Sequence, residues 1–144
     1  MQLIIRKAFV SWKGDSKGGA HRLTTDSGTL KQARFSLGIP LKINSHTDPA
    51  ELIAAAHASS FSLALLNEIK LRTTASGEII VEATVTQEHM DAGWTIMNIH
   101  LNVAARLPTM TQGRFIDATV RAKTNCLVSR LLRANISMNA KLEP

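Results

Sequence analysis

A chain of 144 residues with 44% apolar residues has enough material for one domain with a real core. Its formal net charge is +6, but the Lys and Arg are scattered and no helix-turn-helix, zinc-finger or RNA-binding signature accompanies them. The excess charge therefore reads as a solvated basic surface with no nucleic-acid partner. Two Trp, four Phe and no Tyr leave little for stacking bases or sugars.

The single cysteine, Cys126, excludes an intrachain disulfide and a thiolate zinc cluster. His21, His46, His57, His89 and His100 show no metal-ligand spacing, so no metal or other cofactor is expected. The N-terminus places apolar residues before its charges, unlike a signal peptide. No apolar stretch reads as long and uninterrupted enough to span a bilayer. The expectation is a cytoplasmic protein with no membrane partner.

The chain reads in order as follows. Residues 3–12, LIIRKAFVSW, are rich in β-formers and predict a strand. GDSKGGAH (14–21) predicts a Gly-rich loop, residues 22–26 a second strand, DSG (26–28) a turn, and residues 29–37 a third strand. This third of the chain is expected to be an antiparallel meander. Residues 38–49 connect it to a helix. Asp48 can cap that helix, Pro49 suits its first position, and Glu51 falls three residues after the cap.

The helix is predicted over 49–70. Leu52, Ile53, Phe61, Leu63, Leu65, Leu66 and Ile69 spread around it, so it should be buried nearly all round, with a partner subunit as the economical cover. After a turn at 74–77, residues 78–87 predict a strand and HMDAG a turn. Over 94–107 the alternation sends Ile99, Leu101 and Val103 to one face and Asn98, His100 and Asn102 to the other, the mark of a half-buried strand. Pro108 ends it. A helix follows over 111–132, with Asn125 the place where it would break. Residues 134–142 alternate again, with Ile136, Met138, Ala140 and Leu142 inward. The predicted class is α+β, in the order βββ-α-ββ-α-β, with residues 1–144 forming one domain.

Several segments together resemble the OsmC/Ohr family, the osmotically inducible protein C and organic hydroperoxide resistance proteins. They are WKGD (12–15), KGG (17–19), DSGTL (26–30), DPAELIAAAHASSFSLAL (48–65), DAGWTI (91–96) and AKTNCLVSRLL (122–132). They span nearly the whole chain, and the central helix is the most specific piece. The resemblance, closer to the OsmC branch, implies an OsmC-like fold: an intertwined homodimer with curved sheets around central helices. It also implies thiol chemistry. In such proteins a first cysteine on the central helix attacks the peroxide O–O bond as a thiolate and becomes a sulfenic acid. A second cysteine closes a disulfide that an external dithiol reduces. An arginine activates the first thiol and a glutamate orients that arginine.

Carried over position by position, the first cysteine falls on Ser60, the second on Cys126 and the glutamate on Glu51. The arginine of the OsmC branch falls on Pro40; that of the Ohr branch falls near Gly19 or Ala20, not on Arg22. A serine hydroxyl is un-ionised near neutral pH and has no comparable oxidation ladder. Two working groups missing together point to loss of the usual thiol-peroxidase turnover. Ser60 with His57, at i and i+3, could in principle form a nucleophile–base pair. No acidic third member or oxyanion donor is identifiable, so His57 reads first as a buried histidine satisfied by a hydrogen bond. Glu51 reads as a helix-capping residue and Cys126 as a buried apolar one. Three readings stay open: a family member without two-cysteine turnover, a one-cysteine peroxidase using Cys126, and a binding module for an apolar hydroperoxide or other small apolar ligand at the dimer interface.

Overall fold

The structure, a computed structural model, describes residues 2–15, 18–34, 46–70 and 76–144. The chain divides into two compact units, Met1–Pro49 and Ala50–Pro144.

The first unit is a three-stranded antiparallel sheet of β1 (Ala8–Asp15), β2 (Gly18–Thr25) and β3 (Ala33–Arg34), in that order. The strands differ from expectation at both ends of the first hairpin. Leu3, Ile4 and Ile5 lie outside β1 and are exposed, although they are strong β-formers. Ladder partners decide this: pairing begins at Ala8 opposite Thr25 and runs to Asp15 opposite Gly18. The same ladder carries β1 and β2 into the segment expected to be loop. The turn after β2 falls where expected, with Gly28 at φ 79, a conformation that suits glycine. β3 is short, ending against residues outside the described set. Pro40 also lies outside it.

The second unit opens with α1 (Pro49–Ile69), close to the predicted span. By length and composition α1 could cross a membrane, which corrects the expectation that no stretch would reach that length. One stripe of it instead joins the core. His57, Phe61, Leu65 and Ile69 recur at i, i+4 and are buried. Leu63 and Leu66 on its other faces are exposed, so α1 is not buried all round within this chain.

Strands β4 (Glu78–Met90), β5 (Gly93–Arg106) and β6 (Asn135–Glu143) form the second sheet, in that order. β4 and β5 make a hairpin closed over Asp91 and Ala92, with Gly93 at φ 112. Pairing of Met90 with Gly93 extends β4 three residues past its predicted end. β6 lies parallel to β5, Asn98 opposite Asn135 through Arg106 opposite Glu143. A parallel neighbour needs a crossover, and here the crossover is helical.

That crossover is α2 (Gln112–Asn125) and α3 (Leu127–Leu131). Thr111 caps α2 by accepting from the Arg114 N–H at 3.3 Å. The break falls on Cys126, whose ψ of 133 leaves the helical region. Its N–H bonds to Ala122 O at 2.9 Å and its carbonyl accepts from Arg130 N at 3.0 Å, so one residue ends one helix and starts the next.

The core joins these elements: Phe61, Leu65 and Ile69 of α1, Ile99, Leu101, Val103 and Ala105 of β5, and Phe115, Ala118 and Ala122 of α2. Phe61 and Phe115 are fully buried, each worth about 2–3 kcal/mol relative to exposure. The inward residues of β5 and β6 are those the alternation picked out.

Candidate functional site

The polar groups set into α1 sort themselves by direction. Ser59 is exposed and turns back to donate to Ala56 O at 3.0 Å, a bond internal to the helix. His57 and Ser60 lie three residues apart on the face toward α2 and α3, and there they meet the helix break. Cys126 is 1% exposed. Its Sγ–H donates to Ser60 Oγ at 3.0 Å. The Val128 N–H also points at Ser60 Oγ, at 3.4 Å. His57 Nε2 lies 2.8 Å from Ser129 Oγ. Four side chains from three neighbouring pieces of chain thus form one cluster: buried His57 and half-buried Ser60 from α1, buried Cys126 from the break, and half-buried Ser129 from α3.

The electrostatics of the cluster follow from burial and hydrogen bonding. Burial pushes the Cys126 thiol up, but the Ser60 hydroxyl beside it and the polar groups of Ser129 and Val128 at the start of α3 outweigh it, and the thiol ends below its ordinary value. Burial alone pushes His57 below the usual histidine range. Its Nδ1 is buried and has no hydrogen-bond partner.

The structure therefore brings Ser60 and Cys126 together and leaves Glu51 apart. Glu51 is in the first turn of α1 and exposed, nine residues before Ser60, or about 13 Å along the helix axis. His57 does not pair with Ser60, the pairing considered from spacing. Its partner is Ser129, which the sequence reading passed over. The signal was present: Ser129 follows Cys126 by three residues, and a hydroxyl at that offset comes back over the start of the turn. Arg22 donates through its guanidinium to the adjacent His21 O at 3.1 Å. Among the described residues, no group of three or more His, Cys, Asp or Glu is placed to hold a metal ion.

This arrangement can be set beside known proteins. Residues 43–141 match the family described as OsmC-like protein. The Peroxiredoxin OsmC of Escherichia coli (strain K12) is 34% identical over 143 residues, covering 97% of this chain and 98% of that protein. The chain belongs to the OsmC-like family. The fold agrees. An OsmC-like protein of unknown function from Vibrio cholerae O1 biovar eltor matches this OsmC-like chain with a TM-score of 0.77 at 19% identity, over 96% of this chain and 100% of that one. An organic hydroperoxide resistance protein OsmC from Legionella pneumophila matches with a TM-score of 0.65 at 18% identity, over the full length of both.

Proposed function

We propose that this OsmC-like protein handles organic hydroperoxides with a single thiol, Cys126, and does not run a two-cysteine disulfide cycle. One observation carries the reading: the group 3.0 Å from Cys126 Sγ, at the position where the family resemblance puts the first cysteine, is the Ser60 hydroxyl. Serine cannot ionise near neutral pH and cannot form the disulfide. The class of substrate rests on the relatives, one named a peroxiredoxin and another an organic hydroperoxide resistance protein.

In this reading the sulfur of Cys126 attacks the terminal oxygen of ROOH. An S–O bond forms, the O–O bond breaks, and the leaving alkoxide takes up the proton the thiol gave up. The sum is Cys126–SH plus ROOH giving Cys126–SOH plus ROH, a two-electron oxidation of sulfur. An external thiol then forms a mixed disulfide with loss of water, and a second thiol releases Cys126. Ser60 keeps a hydroxyl beside the sulfur. Glu51 keeps the helix-capping place, and the position of the family's activating arginine falls on Pro40.

A homodimer and a single OsmC-like domain over residues 1–144 belong to the same proposal, as does a cytoplasmic location, where a lone thiol stays reduced. Apolar surface supports the dimer: Leu63 and Leu66 on α1, and Leu127 and Leu131 on α3 at 75% and 76% exposure.

Cumene hydroperoxide added to the reduced protein should oxidise Cys126 once. Mass spectrometry should show a one-oxygen gain that a sulfenic-acid reagent traps, and consumption should stop at one peroxide per thiol until external thiol is supplied. An unmodified Cys126, or equal peroxide loss with a Cys126→Ser variant, would overturn the reading.

A further inference from the structure

The hydroxyls set into the helices of the second unit share a habit. Ser59 donates to Ala56 O at 3.0 Å, Thr119 to Ile116 O at 2.7 Å and Thr124 to Val120 O at 3.2 Å. Each bond runs back to a carbonyl three or four residues earlier, a common outlet for a helical hydroxyl. Ser60 departs from this. Its oxygen is a target: the Cys126 Sγ–H points at it from 3.0 Å and the Val128 N–H from 3.4 Å. Among the described residues, no helix carbonyl takes the O–H of Ser60 in return.

A hydroxyl oxygen has two places to accept and one hydrogen to give. With both acceptor places used, Ser60 still has its O–H, and the sulfur 3.0 Å away is within its reach. A neutral thiol is a weak acceptor, so the resting bond runs from sulfur to oxygen. A thiolate has no hydrogen left to donate and, being charged, takes the stronger kind of bond. We propose that Ser60 serves both states of Cys126: it accepts the Sγ–H of the thiol and, once that proton leaves, turns its own O–H to the thiolate. The Val128 N–H can only donate, so it anchors the Ser60 oxygen through the change. The role rests on the one-thiol reading only in taking Cys126 as the reacting group. Within that reading Ser60 touches the reacting atom and holds its nucleophilic form.

Charged neighbours do not supply an alternative. The helices around the sulfur carry Glu51 and Glu68 on α1, Arg114, Asp117, Arg121 and Lys123 on α2, and Arg130 on α3. Glu68 and Arg121 are paired with each other at 2.7 Å. In the sheet, Glu78, Glu82, Glu88, Arg106 and Lys141 are exposed, and Glu143 pairs with Arg106 at 3.3 Å. His57, three residues before Ser60, puts Nε2 against Ser129 and is pushed toward its neutral form by burial. Burial raises the Cys126 thiol; Ser60 first, then the polar groups of Ser129 and Val128, bring it below its ordinary value, and none of these groups is charged.

The chain has one Cys and no Tyr, so ultraviolet thiolate absorbance followed against pH reads Cys126 alone. Ser60→Ala should move the midpoint up by about one pH unit, the scale of one hydrogen bond to a charged group. Ser60→Thr keeps the hydroxyl and should stay near the parent. Ser60→Val has the shape of threonine without the hydroxyl and should move with Ser60→Ala. Infrared spectroscopy reads the other half: the lone S–H stretch should rise in frequency when Ser60→Ala removes its acceptor. A Ser60→Ala midpoint equal to the parent, equal midpoints for Ser60→Thr and Ser60→Val, or an S–H band unmoved by Ser60→Ala overturns the proposal. Circular dichroism checks the fold of each variant, and if Ser60→Ala does not fold, Ser60→Thr against Ser60→Val decides. The titration needs no peroxide. A thiol that titrates as expected yet stays unoxidised by cumene hydroperoxide sinks the one-thiol reading and leaves the hold of Ser60 on the thiolate standing.

Discussion

Among the described residues of the second unit, two histidine–serine pairs can be set side by side. His57 Nε2 is 2.8 Å from Ser129 Oγ, and His100 Nδ1 is 2.7 Å from Ser137 Oγ. By distance they are the same interaction. The first is enclosed between α1 and α3, with a thiol as its next neighbour. The second bridges the parallel strands β5 and β6 on their polar face, where His100 and Ser137 are register partners. Water can replace either member of the second pair, so that bond is worth little net. In the first, His57 is fully buried, so the loss of its partner is less readily made good. Length does not rank hydrogen bonds; what surrounds them does.

The largest effect that would sharpen this contrast comes from Ser60→Cys. It sets a second sulfur against Cys126 inside the enclosed region, 66 positions away in sequence. Oxidation should close the disulfide and stabilise the fold by about 4 kcal/mol, a gain that vanishes with reductant in thermal unfolding. No gain would mean that the side chains meet in a geometry sulfur cannot bridge.

Next in size is the loss of each serine. Ser129→Ala leaves His57 with both ring nitrogens buried and unpaired and should cost about 1–3 kcal/mol in urea unfolding. Ser137→Ala should stay within about 0.5 kcal/mol, because water takes the place of the hydroxyl. Equal costs would break the comparison.

The smallest effect is on pH. The folded pKa of His57 is lowered, so as pH falls below about 6.5 the unfolded chain takes up a proton that the folded chain refuses. Stability should fall with pH there, by at most about 1.4 kcal/mol per pH unit from this group. His57→Gln should flatten that slope, read from urea unfolding across that pH range. Cys126 acts with the same sign at higher pH. Its lowered folded pKa adds stability as pH rises toward the ordinary thiol value, and that stability is fully present above it.

The comparison also explains what could be read in advance. The strands β5 and β6 were legible because their alternation records burial directly: Ile99, Leu101 and Val103 are buried, as is Leu142. The α1 span was legible from Asp48, Pro49 and the apolar run that follows. The start of β1 was not, because Leu3, Ile4 and Ile5 have the propensity but no ladder partner among the described residues. Nor was the parallel pairing of β6, which depends on where a crossover lands and leaves no mark in a strand's own pattern. In the site, Ser60 and Cys126 came from family resemblance, and the structure puts them in contact. Ser129 did not, since a serine three residues past a cysteine has no meaning until the helix breaks at Cys126. His57 was legible as a buried or half-buried histidine satisfied by a hydrogen bond; that only one of its nitrogens is satisfied needed coordinates.

The parallel pairing of β5 and β6 has an energetic side. The hairpin between β4 and β5 closes over two residues, whereas His100 and Ser137 are 37 positions apart. Loop-closure entropy grows with the logarithm of that separation, which puts the β6 contact about 2–3 kcal/mol higher in ordering cost than the hairpin. β6 is thus the strand this sheet acquires most expensively. Wherever it is undocked, β5 presents an open row of N–H and C=O groups to any strand that reaches it.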